Sequence, residues 1–439
     1  MRGLLVAAQA SGCGKTAATL GLIAALKARN VPVAPAKAGP DFIDCSWLAA
    51  IAGRPALNLD AWMARDEARL VKAVEEFGSG AFLVVEGAMG LYDGPANSSA
   101  AALASLLGLP VLLLLNARGM GQSIAALAEG FLGHEPQWQD RPKPAFCGLV
   151  STHTGSPKHA GLLAEALGPV CKRFDVPFLG CLGRTGAPQI PSRHLGLVQA
   201  SEMELPDTSA LARWFSCDLD RLRLEPNPPA PRKTGSIGPG PVIAIARDAA
   251  FSFCYADLPS LLESLGARCV FFSPLNDTEL PACDGIYLPG GYPELHAPEL
   301  AANTALRTAL AAFRGPIYGE CGGYMYLMES LEDTTGQKWP MTGLLQGHAT
   351  TQKRAASLGY RKACCAAWPD IACTGHEFHY CIADTPSDCQ PLWRCADSAG
   401  NDLGSQGQIR GNVAGSWVHL YPLGSEAFWR RWLEWCAGQ

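Results

Sequence analysis

A chain of 439 residues exceeds one ordinary domain, and two or three are expected. Apolar residues make up 48% and charged residues 17%, enough to build sizeable cores, and a formal net charge of -5 without a long basic run argues against nucleic acid as a partner. The 17 cysteines are scattered and odd in number, Met1–Val6 runs straight into a Gly-rich loop rather than a secretory leader, and the longest apolar runs, such as 110–115, are only strand-sized. The expectation is a cytoplasmic chain with reduced thiols and no membrane role.

In chain order, apolar runs at Gly3–Ala8, Val33–Ala36, Ala81–Glu86, Val111–Asn116 and Phe146–Val150 alternate with helical patterns, the signature of a parallel α/β sheet. The segment from Gln9 to Thr16 follows the first strand and opens a helix with Leu20, Ile23 and Ala24 on one face and Lys27 and Arg29 near its end. In that setting Ser11, Gly12, Gly14, Lys15 and Thr16 form a phosphate cradle. Backbone N–H groups and the helix dipole face the anion, Lys15 reaches the terminal phosphates, and the Thr16 hydroxyl suits Mg²⁺. The usual first glycine of the pattern is replaced by Gln9. Lys37 adds a cation and Asp41 an acid just past a strand end, and Glu86 ends an apolar strand where it can hold Mg²⁺ directly or through water. Against these readings stand plainer ones: a turn residue for Asp41 and a helix cap for Glu86.

Residues 225–241 are dense in Pro and Gly and read as a linker between halves 1–224 and 242–439. The second half repeats the alternation, with strands at Val242–Ala246, Arg268–Ser273, Gly285–Leu288 and Pro316–Tyr318. His376–Ala383 and Val413–Leu420 read as antiparallel or edge strands. Gly319 to Gly323 has Gly-x-Cys-x-Gly spacing between a strand and a helical stretch, Tyr324–Leu331. A tight turn of that kind holds Cys321 out from the sheet, and the helix N-terminus is expected to favour its thiolate. His419 ends an apolar run and is the first choice for a base. Gly290 and Gly291, following a strand, and Gly322 supply N–H groups for an oxyanion. The rival readings are a buried apolar cysteine and a structural histidine. Cys373, His376, His379 and Cys381 superficially resemble a metal site, but two histidines three apart on a strand face opposite sides.

These pieces resemble the cobyrinic/hydrogenobyrinic acid a,c-diamide synthase family of cobalamin biosynthesis along nearly the whole chain. The resemblance is carried by Ser11–Thr16, Lys37–Asp44, Glu86–Gly94, Ser192–Leu197, Ala246–Phe251, Pro289–Leu295, Glu320–Met325, His376–Tyr380 and His419. It implies an N-terminal dethiobiotin-synthetase-like P-loop domain and a C-terminal class I glutamine amidotransferase domain. It further implies ATP and Mg²⁺ held by Lys15, Thr16, Asp41 and Glu86, with L-glutamine attacked by Cys321 and a proton shuttled by His419. The acceptor would be hydrogenobyrinic acid, with cobyrinic acid as the alternative and nickel-sirohydrochlorin more distant. A cobyric acid synthase-type amidotransferase, and a P-loop partition or regulatory ATPase with an inactive appendage, are the other readings. The oligomeric state stays open, a homodimer included. Two positions depart from the pattern: Tyr421 stands where many class I amidotransferases have an acid, and Thr152 where the family shows Asn near the adenine pocket.

Overall fold

The computed structural model describes residues 1–439 except 95–97, 137, 139–140, 191, 194–195, 230–239, 353, 355 and 439. Most of the expected linker therefore lies outside the described residues, as do His194 and Leu195 of one sequence landmark. The chain divides into two compact units, Met1–Trp62 with Asp66–Arg232, and Met63–Arg65 with Lys233–Gln439. No helix among the described residues is long and apolar enough to cross a membrane.

The first unit is built on seven strands: β1 (Gly3–Ala8), β2 (Val33–Ala38), β3 (Leu57–Leu59), β4 (Phe82–Glu86), β5 (Val111–Asn116), β6 (Phe146–Thr154) and β7 (Phe178–Gly183). They pair in the order β3-β2-β4-β1-β5-β6-β7, every neighbour parallel. The near-continuous Val/Leu/Ala runs of β1, β4 and β5 suit strands covered on both faces. One cover includes helix α1 (Lys15–Ala28), whose Leu20, Leu22, Ile23 and Leu26 are fully buried. Chain order reverses direction around β1, which puts the carboxyl ends of β1, β2 and β4 at the place where such sheets bind ligands. Two strands escaped the sequence reading. β3 is three residues long, and β7 is only partly buried, so neither shows a strong apolar run.

The second unit holds a six-stranded sheet in the order Arg268–Phe272, Val242–Ala246, Gly285–Leu288, Ile317–Glu320, Val413–Ser416 and Gln408–Arg410. All pairs are parallel except the last. A five-stranded antiparallel sheet comprises Asp402–Gln406, Trp393–Ala396, Ser357–Cys365, Ala372–His379 and His419–Leu420.

Two expectations are corrected here. The run Val413–Leu420 is not one antiparallel or edge strand. Val413–Ser416 pairs parallel with Ile317–Glu320 inside the first sheet, and the chain then crosses to the other sheet as His419–Leu420. The crossing is anchored by Ser416, whose hydroxyl oxygen accepts from the Val418 amide (3.3 Å) and from Trp393 Nε1 (2.9 Å). The helix after the cysteine covers only Gly322–Leu327, because Ser330–Glu332 is drawn into strand pairing with Lys338–Pro340 and His348–Thr351.

Candidate active site

Between β1 and α1 the loop turns through Gly12 (φ 72°) and Gly14 (φ 84°), left-handed conformations that glycine adopts without steric cost. Lys15 Nζ donates to the carbonyls of Ala10 (3.0 Å) and Met89, which folds the lysine over the loop. Thr16 Oγ1 donates to Glu86 Oε1 at 2.8 Å. Gln9, standing where the pattern has glycine, uses its Oε1 to accept from the amide of Asn116 at the end of β5. Thr152 is buried and donates from its hydroxyl to Cys13 O (2.8 Å), bracing the loop from β6.

Lys37 and Glu86 are register partners on β2 and β4, so their side chains meet. Lys37 Nζ lies 2.8 Å from Glu86 Oε1 and 2.6 Å from Asp44 Oδ2, all three groups being buried. Burial works against the Lys37 ammonium, but Glu86 and Asp44 outweigh it and hold its pKa above the ordinary lysine value. Burial raises the Glu86 carboxyl, against the pull of Lys37 and Thr16. Asp41 accepts from the Asp44 amide (2.9 Å) as N-cap of helix α2 (Phe42–Ala52), and burial followed by the Asp44 charge raises its pKa. Asp44, which the sequence analysis held only as part of a motif, is thus the second carboxylate on Lys37. Its signal was its place in the first turn of α2, three residues after the cap.

Asp44 Oδ1 and Glu86 Oε2 are both buried without a hydrogen-bond partner. Together with the Thr16 hydroxyl they are oxygen donors of the chemistry a hard divalent cation takes. The residues present fit Mg²⁺.

In the second unit Cys321 occupies the turn between Ile317–Glu320 and Gly322–Leu327 with φ 46° and ψ −102°. That conformation is strained for a residue with a side chain, and such strain clusters at functional turns. The neighbouring glycines make room for it. A Cβ on Gly319 would lie 2.8 Å from Gly323 C, one on Gly323 2.0 Å from Leu288 O, and one on Gly322 2.9 Å from Gly291 N. The Cys321 amide donates to Ser416 O at 2.7 Å, tying the elbow to the strand that leads into His419.

His419 is buried against the Gly290–Gly291 turn. A Cβ on Gly290 would fall 2.3 Å from His419 Cε1, so only glycine lets the backbone pass over the imidazole. The structure thus gathers Gly290, Gly291, Gly322, Cys321 and His419 around one elbow. The Gly322 amide donates towards the thiol, and Gly323 N donates to Pro289 O (3.0 Å).

The expected stabilisation of a thiolate does not hold for this arrangement. Cys321 is 4% exposed, and burial, with the Glu294 carboxylate next, pushes its thiol above the ordinary cysteine value. A helix of six residues offers too little to offset that. Burial, and then His379, lowers His419 to about 3. Burial thus disfavours charge on both the thiol and the imidazole.

Glu320, beneath the elbow, was not singled out from sequence as a site residue. It is 1% exposed, accepts from Tyr287 Oη (2.8 Å) and the Leu420 amide (3.2 Å), and burial raises it to about 8. His376 and His379 do not share a metal site. His376 stacks on His419, and His379 stacks on Trp417 with Nδ1 2.7 Å from Cys381 O. Among the described residues no group of His, Cys, Asp or Glu is arranged to hold a metal by itself.

Two family models match these two regions. Residues 4–198 match the CobQ/CobB/MinD/ParA nucleotide binding domain, and residues 242–427 match the CobB/CobQ-like glutamine amidotransferase domain. The chain is therefore an enzyme of the glutamine amidotransferase class, a carbon–nitrogen ligase with a nucleotide-binding P-loop domain ahead of its amidotransferase domain. It is 43% identical over 445 residues to the hydrogenobyrinate a,c-diamide synthase of Sinorhizobium sp, covering 97% of this chain and 100% of that one. It is 39% identical to the protein of the same name from Rhizobium meliloti (strain 1021), covering 96% and 99%, and 42% identical to that of Brucella abortus biovar 1, covering 97% and 100%. The chain belongs to the cobyrinic/hydrogenobyrinic acid a,c-diamide synthase family of cobalamin biosynthesis. The regulatory-ATPase alternative falls, because relatives spanning both halves together carry an enzyme's name.

Proposed function

We propose that this enzyme uses ATP and L-glutamine to convert the a- and c-carboxylates of hydrogenobyrinic acid to amides. The observation that carries the reading is the presence in one chain of two differently equipped sites. One is a phosphate loop over the buried Lys37–Asp44–Glu86 cluster, and the other is a strained Cys321 elbow beside His419. The names of the full-length relatives favour the metal-free corrinoid over cobyrinic acid.

At the elbow, Cys321 Sγ attacks the side-chain carbonyl carbon of glutamine while His419 takes the thiol proton. The oxyanion that develops faces the N–H groups of Gly291 and Gly322. The proton on His419 then passes to the leaving nitrogen, the C–N bond breaks, and ammonia departs from a thioester that water cleaves to glutamate. Burial disfavours charge on both groups, so the ion pair is favoured as glutamine is attacked rather than before it.

At the phosphate loop, a corrinoid carboxylate oxygen attacks the γ-phosphorus of ATP, giving an acyl phosphate and ADP. Ammonia adds to the acyl carbon and phosphate leaves, so that one ATP is used for each amide. Ser11, Gly12 and Gly14 bind phosphate oxygens through backbone N–H groups, and Lys15 turns from Ala10 O and Met89 O towards the triphosphate. Lys37 holds Glu86 and Asp44 in place. Mg²⁺ bound by Thr16, Glu86 and Asp44, with Asp41 beside them, would neutralise charge on the phosphates.

The test is incubation of the enzyme with hydrogenobyrinic and cobyrinic acids in parallel, with ATP, Mg²⁺ and glutamine, following products by mass. Two amidations of hydrogenobyrinic acid and no further ones are expected. Amidation beyond two, or turnover of cobyrinic acid alone, overturns the assignment.

A further inference from the structure

Tyr421, rather than an acid, stands two residues beyond His419. The structure sets His376 against the His419 ring. His376 and His419 are direct register partners on antiparallel strands, which puts both side chains on one face. Their rings lie nearly parallel, 16° apart with centroids separated by 4.9 Å. Gly290 closes on the His419 ring with no room for a Cβ, and Phe253 tilts towards it at 6.4 Å.

His376 is itself held. The Tyr255 hydroxyl lies 3.0 Å from His376 Nδ1, and the Tyr255 ring packs edge-on against Tyr421 with centroids 5.3 Å apart. Burial, and then the neighbouring His419, keep His376 neutral by lowering its pKa well below the ordinary value. A neutral ring stacked on His419 attracts the imidazolium that forms there during turnover.

We propose that His376, fastened by Tyr255, is a positioning residue that orients His419 through ring stacking. This rests on the reading of Cys321 and His419 as the glutamine-cleaving pair.

The experiment compares His376→Ala, His376→Phe and Tyr255→Phe in the full chain. It measures kcat and KM for glutamate release from glutamine in the presence of ATP, Mg²⁺ and acceptor, and amidation driven by added ammonium. His376→Ala is expected to lower the glutamine-dependent kcat roughly tenfold with KM unchanged. Ammonium-driven amidation should be unaffected. His376→Phe, which keeps a flat ring in the stack, should recover most of the loss, and Tyr255→Phe should fall between the two. An unchanged kcat in His376→Ala, equal losses in the Ala and Phe variants, or a parallel loss of ammonium-driven amidation overturns the proposal. Cys321→Ala and His419→Ala separate the two levels: if either keeps glutamine-dependent turnover, it is the underlying reading that fails.

Discussion

The two units solve the same geometric problem in opposite ways. Each places a turn at the carboxyl end of a parallel strand and starts a helix from it. In the first unit the glycines take the left-handed conformations, and the functional side chains Lys15 and Thr16 sit in ordinary helical geometry beyond them. In the second the functional side chain takes the strain itself, at φ 46°, and the glycines are there because neighbouring backbone leaves no space for a Cβ. The first site pairs opposed charges, whereas burial disfavours charge on the thiol and imidazole of the second. The proposed phosphate site is built from charge and backbone N–H groups, and the proposed thiol site from burial and strain.

Substitutions can break that contrast. Cys321→Ala should cut glutamine-dependent amidation by about 10⁴-fold or more while sparing amidation with added ammonium. Loss of both in a folded protein would show that the two sites do not divide the work. Lys15→Ala should lower both reactions by about 10³-fold, with equal losses from either nitrogen source as the diagnostic result. Lys37→Met leaves Asp44 and Glu86 buried without their cation and should cost about 3–5 kcal/mol of unfolding free energy. Chemical denaturation measures it, and a loss below about 1 kcal/mol would mean that the cluster is not held by charge.

Gly290→Ala sharpens the other side of the comparison. Its methyl group would push into His419 Cε1, and a displaced imidazole should lower glutamine hydrolysis by about 10²-fold with ammonium-driven amidation retained. Wild-type hydrolysis rates in this variant would remove the steric argument.

The smallest expected effect is on pH dependence. The Glu320 carboxyl is raised from 4.5 in the unfolded chain to about 8 in the fold, so the folded state holds the proton more tightly. Its contribution to stability is fully present below about pH 4.5 and is lost as pH rises through about 8. Glu320→Gln should therefore show a shallower fall in Tm between pH 5 and 8 than the parent enzyme. Parallel Tm curves would mean that Glu320 is not held protonated.

Both Gly-rich turns and the parallel strands beside them were legible in the sequence, since each is a local matter of apolar runs and glycine spacing. The residues 9–16 loop, the strand ending at Glu86 and the Gly319–Gly323 elbow all needed only neighbours in the chain to be recognised. What lay beyond reach depended on partners far along it. Asp44 looked like one acid in a motif until strand register set Lys37 opposite Glu86. His376 looked like half of a weak metal pattern until antiparallel pairing stacked it on His419. The thiol's preference is the clearest case. A helix N-terminus favours a thiolate on paper, yet the burial that overrules it comes from strands and loops that only the folded chain brings together.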